Sequence, residues 1–81
     1  MGTKNNPGRF DCYANAEPDE PIFVLLGRDK HAPILVKLWA DLRRMDGEDD
    51  AKIFEARQCA SEMIGFRDRR KRKAALGGKE E

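Results

Sequence analysis

The sequence predicts an all-α fold: an antiparallel two-helix hairpin, with a short N-terminal helix packed across it and oligomerisation completing the core. Three observations lead there. Apolar residues recur at three- and four-residue steps in DKHAPILVKLWADLRRM and in DDAKIFEARQCASEMIGF, the spacing of helices packed on one side. MDGE alone separates the two stretches, and so short a connection makes antiparallel neighbours. Finally, 81 residues bury only a modest core, and two helices make a thin one.

Residues 1–9 hold Gly, Asn and Pro and little to bury, so they read as a flexible tail ahead of a single helical domain over residues 10–73. FDCYANA then brings Phe10 and Tyr13 together. Two rings so close are expected to dock on the hairpin or on a neighbouring subunit; the alternative is that Tyr13 lines a pocket and stacks on a base. Ile22 to Leu26 is a continuous apolar run fenced by Pro18, Pro21 and Gly27. Periodicity does not separate strand from helix there. With no partner strand in view, a short helix over about residues 20–26 is expected, Asp19 capping it and Pro21 in its first turn.

The first long helix is expected over about residues 30–46. Asp29 suits its N-cap, Pro33 falls near its start, and Gly47 supplies the left-handed residue that ends it. Leu35, Leu38, Trp39, Leu42 and Met45 form its stripe, read as core against the second helix. The second helix is expected over about residues 50–72, capped by Asp49 or Asp50, with Ile53, Ala56, Ala60 and Met63 as its stripe. Small residues at its centre let two backbones approach closely. Residues 74–81, AALGGKEE, read as a second flexible tail.

Net charge is only +1, which argues against a general polyanion binder. Charge is instead segregated, acidic at the front and in the turn, basic at the end of the second helix. Arg67, Arg69, Arg70, Lys71, Arg72 and Lys73 are interrupted only by Asp68. Such a run serves as a solvated helix end that complements the dipole, as a set of forks for phosphates, or as a basic arm on nucleic acid. For a compact phosphate ligand, Arg67, Arg69 and Arg70 are the candidate phosphate-binding residues, with Tyr13 and Phe66 the candidate base-stacking rings.

No catalytic motif is present: no Gly-rich phosphate loop, nucleophile elbow or HExxH. His31 is the single histidine, and Cys12 and Cys59 lack a CxxC. These are too few ligands for a structural zinc site, so neither metal nor cofactor is expected, nor enzyme activity. MGTKNNPGRF has no apolar signal-peptide core, and no apolar run approaches the ~20 residues that span a bilayer. A cytoplasmic protein with reduced cysteines is expected.

Tyr13, Asn15 and Ala16, then Glu20-Pro21, Leu25-Leu26, Arg28-Asp29, Trp39, Glu55-Ala56, Cys59-Ala60 and Phe66-Arg67 give the chain a resemblance to a group of small proteins of tailed phages and prophages. In architecture alone it resembles phage immune-evasion proteins, compact helical hairpins that assemble into symmetric oligomers and sequester cyclic nucleotide signals of bacterial defence. The resemblance implies a non-enzymatic homo-oligomer in the host cytoplasm that takes up a cyclic nucleotide or other anionic small molecule. Two other readings stand beside it. One is a nucleic-acid-associated accessory protein using the basic run. The other is a protein-interaction module using a spare apolar face.

Overall fold

In the computed structural model, which describes residues 1–75, the regular structure is helical and no strand occurs among the described residues. Three helices follow in order: α1 Cys12–Asn15, α2 Ala32–Met45 and α3 Asp50–Ala75. The all-α expectation therefore holds. Several local features differ from the sequence reading, each for a physical reason.

The short helix expected over residues 20–26 does not form. No amide from Ile22 to Leu26 donates a backbone hydrogen bond to another described residue; the segment only lends the Leu26 carbonyl to the amide of Asp29. A helix there would be two turns long, with a β-branched and aromatic Ile-Phe-Val front, and so short a piece does not nucleate without packing on both sides. Such packing is missing, because Ile22, Phe23, Val24 and Leu26 are exposed and only Leu25 is half-buried. One turn of helix forms earlier instead, at α1, where the Asp11 side chain accepts a hydrogen bond from the Ala14 amide.

Asp29 sets up α2 from two residues further back than a cap. Its carboxylate accepts from the His31 amide at 2.9 Å and its carbonyl from the Ala32 amide at 3.0 Å. The helix then begins at Ala32, which puts Pro33 within the first two helical positions, where a missing amide costs nothing. At the other end the Gly47 amide donates to the Arg44 carbonyl at 3.1 Å and the Glu48 amide to the Arg43 carbonyl at 3.0 Å. This pair of bonds is a Schellman motif, and Gly47 takes its left-handed position at φ 84°. Arg43 closes the motif by donating from Nη2 to Glu48 Oε2 at 2.6 Å. Asp49 then caps α3, its carboxylate accepting from the Ala51 amide at 2.9 Å.

α2 and α3 pack on each other, with Ala40 set among Ile53 and Ala56, and Asp41 accepting from Arg57 Nη2 at 2.9 Å. The surface α2 turns to its neighbour is not the expected one. Ala32, Pro33 and Ala40 are buried and Val36 is half-buried against the core. The stripe of Leu35, Leu38, Trp39, Leu42 and Met45 lies exposed. Both stripes satisfy helical periodicity. Ala40 against Ala56 permits the closer approach of backbones, and the bulky stripe is left outside. α3 behaves as expected, with Ile53, Ala56 and Ala60 buried and Met63 half-buried.

The core is correspondingly small: Ala32, Ala40, Ile53, Ala56 and Ala60 are its buried apolar residues, with Pro33 also buried, and among the described residues no large side chain is fully buried. At 1.5 Å per residue α3 spans ~39 Å and α2 ~21 Å, so the second half of α3 runs on past the start of α2. The helix continues through Ala74 and Ala75, where a tail was expected; residues 76–81 of that expected tail lie outside the described residues.

Residues 1–9, expected to be a flexible tail, are instead folded onto α3 together with Phe10. Glu55 is the anchor. Its carboxylate accepts from the amides of Arg9 (3.1 Å) and Phe10 (3.0 Å) and from the amino group of Met1 (3.0 Å). That amino group also donates to the carbonyls of Pro7 and Phe10, each at 2.6 Å. Gly8 makes the arrangement possible. Its φ is 82°, and a Cβ there would collide with the Met1 carbonyl and crowd the Glu55 carboxylate.

Burial pushes the Glu55 carboxyl up, but the amide of Phe10, the Met1 amino group and the amide of Arg9 outweigh it and hold the group below its ordinary value. The Arg43 hydrogen bond and the Asp49 amide bring Glu48 down to about 2. Both folded-state values lie below the unfolded value near 4.5. Their stabilising contribution is therefore complete above that pH; it is lost as pH falls toward 2 for Glu48, and as pH falls below the ordinary carboxyl range for Glu55. Glu55→Gln is expected to lower Tm by about 5 °C at pH 7 and to flatten its decline as pH falls below the ordinary carboxyl value. Thermal melts followed by circular dichroism across that range measure both effects. An unchanged profile would mean the N-terminal segment is not held by this carboxylate.

Candidate functional site

Docking of residues 1–10 on α3, beside the irregular run at 22–26, creates concave surface on one side of the molecule. Two adjoining cavities occupy it. The first, of about 540 Å³, is lined by Gly2 to Lys4, Leu25 to Gly27, Cys59, Glu62, Met63, Phe66 and Arg69. The second, of about 620 Å³, shares Gly2, Thr3, Lys4, Leu25, Leu26, Cys59 and Met63 with it and extends to Phe10, Tyr13 and Ile22. Both volumes fall within the range of small-molecule pockets.

Phe66 is positioned by the register of α3. Residues 53, 56, 60, 63, 67 and 70 alternate steps of three and four, so the buried stripe of Ile53 and Ala56 continues through Met63 into Arg67 and Arg70, both half-buried. Phe66 sits beside that stripe, 41% exposed. Its neighbours one turn on cover its ring: the guanidinium of Arg70 lies 5.7 Å and that of Arg69 5.9 Å from its centroid, within cation–π range. Gly27 closes the wall opposite, where a Cβ would come 3.6 Å from Met63 Cγ and 3.8 Å from Phe66 Cδ2.

Of the five residues singled out by sequence, the fold brings Phe66, Arg69 and Arg70 into one cluster, with Phe66 and Arg69 at the first cavity. Arg67 lies on the core register and lines neither cavity. Tyr13, on α1, is 76% exposed and borders the second cavity but not the first. The docking expected for this ring is therefore shallow, and Tyr13 and Phe66 do not line one cavity. Lys4 was not singled out, because nothing in a polar N-terminal stretch reveals that it folds back onto a helix 50 residues later. It brings a second cation to the cavity of Arg69, while Glu62 contributes a carboxylate there.

Burial raises the Cys59 thiol, Glu62 and Glu55 reinforcing it and the N-terminus and the Gly2 amide opposing it. The thiol stays protonated at neutral pH and is a poor nucleophile. Cys12 is exposed on α1 and lines the second cavity. No three His, Cys, Asp or Glu side chains are grouped to hold a metal ion among the described residues, and no described helix is long and apolar enough to cross a membrane. Comparison with models of protein families, with curated proteins and with solved structures finds no match to this chain.

Proposed function

We propose that this protein works by capture rather than catalysis: a self-associating helical chain that holds an anionic, ring-bearing small molecule of the nucleotide class in the cavity of Phe66 and Arg69. The observation that carries the reading is one face of α3. There an aromatic ring, flanked by two guanidinium groups, borders an apolar cavity that also receives Lys4. A base can stack on an arene while arginine forks and an ammonium hold its phosphates. Phage resemblance gives the capture its purpose, the sequestration of a nucleotide-like signal of host defence in the host cytoplasm. Completion of the α2–α3 hairpin by further copies of the chain belongs to the same reading, since oligomers of hairpins build enclosed sites between subunits.

A thermal-shift and calorimetric panel of cyclic dinucleotides, cyclic trinucleotides and ADP-ribose-like molecules tests it. At least one is expected to raise Tm, by about 2.7 kcal/mol of linkage at a ligand concentration 100 times Kd. Arg69→Ala is expected to weaken that binding about tenfold or more, as loss of a charge-assisted contact requires. No shift with any of the panel would overturn the reading. A protein-interaction module is the second reading, favoured by the exposed apolar face of α2. A basic arm on nucleic acid would instead show affinity that falls steeply with salt.

A further inference from the structure

α2 presents three faces. Ala32, Pro33, Val36 and Ala40 meet the core, Lys37, Asp41 and Arg44 are polar, and the third face is apolar and bare. On that third face Leu35, Leu38, Leu42 and Met45 follow one another in steps of three, four and three, with Ile34 and Trp39 alongside. Their exposures are 45%, 51%, 51% and 81% for the four, and 67% and 36% for the flanking pair. The spacing is that of the a and d positions of a heptad, which seat knobs into the holes of another helix of the same kind.

We propose that this face is the contact between two copies of the chain, α2 packing on α2 across a two-fold axis to make a four-helix bundle with the two α3 helices outside. The proposal deepens the self-association in the reading above by naming the surface and the partner. Three observations select a second copy. The a/d spacing is self-complementary, as an isologous interface requires. The bare side chains of this face leave roughly 600 Å² for burial, close to the ~800 Å² per partner of a standard interface before any contribution from neighbouring residues. Lastly, the described residues of the single chain bury Ile53, four alanines and Pro33 as their apolar core, too little to offset the ~1–2 kcal/mol per residue that ordering the backbone costs. A partner needed for folding must be present whenever the chain is made, and another copy always is.

Sedimentation equilibrium of the full chain without ligand provides the test. Wild type is expected at two chain masses or a multiple of two. Leu38→Glu with Leu42→Glu is expected to lower the mass at least twofold, and Lys37→Glu on the polar face to leave it unchanged. A wild-type mass of one chain, or an unchanged mass in the helical double variant, overturns the proposal. Should the double variant unfold, a chain carrying Leu38→Cys and Leu42→Cys, with Cys12→Ser and Cys59→Ser, replaces it. Oxidation is then expected to give a covalent dimer, and its absence overturns the proposal. Dimerisation with no response to the nucleotide panel sinks the ligand reading alone, whereas nucleotide capture by a stable single chain sinks this proposal and the self-association in the reading above but leaves the capture standing.

Discussion

Ile53→Ala is expected to cost about 2–4 kcal/mol and to leave the protein largely unfolded at 37 °C. Ile53 is 3% exposed and, among the described residues, is the large apolar side chain of a core whose other buried members are alanines and Pro33. Truncation removes the transfer free energy of three carbons and leaves a void that Ala40 and Ala56, with no rotamers to adjust, cannot fill. In a domain of this size 1 kcal/mol corresponds to ~4–8 °C in Tm, so the transition shifts by ten degrees or more. Urea denaturation followed by circular dichroism measures the loss. A change below about 1 kcal/mol would mean that the stability of this protein does not reside at the α2–α3 contact.

Ala56→Leu is the complementary experiment, and its expected loss is of similar size. Ala56 and Ala40 are both fully excluded from solvent where the helices meet. Three added carbons at position 56 have no space between the backbones. They must push α2 and α3 apart or force strained rotamers, at a cost of about 1–3 kcal/mol. Separation also lengthens the reach from Arg57 to Asp41, now 2.9 Å, and tilts α2 on its support. If the bare face of α2 is the contact between copies, the variant associates less tightly as well as melting earlier. Melting and sedimentation on the same sample measure both. Ala56→Gly, which adds no volume, is expected to lose only about 1 kcal/mol, the helix-propensity difference.

Glu55-Ala56 and Cys59-Ala60 follow one another on one helix, and the fold gives each of the four a physical reason. Ala56 and Ala60 are buried. Glu55 ties down the N-terminal segment, and Cys59 forms part of the floor of both cavities. Phe66 and Arg69 were legible as candidates because a ring beside a basic run is visible in any sequence. Their adjacency follows from helical spacing alone. The cavity they border was not legible, since its other walls come from Lys4 and Leu25 to Gly27, whose approach to α3 is decided by long-range contacts.

Local chemistry by itself determined the helical class, the turn at Gly47 and the stripe of α3, because periodicity, capping carboxylates and a left-handed glycine act within a few residues. Which face of α2 would meet α3 was beyond it. Two stripes on that helix, one of small residues and one of bulky ones, have acceptable spacing, and only the closer approach allowed by Ala40 against Ala56 chose between them. The tertiary structure likewise decided that residues 1–10 are anchored, because one carboxylate on α3 gathers three donors distant in sequence. It also decided that Ile22 to Leu26 stays without a helix, since no second surface closes over that run to support one.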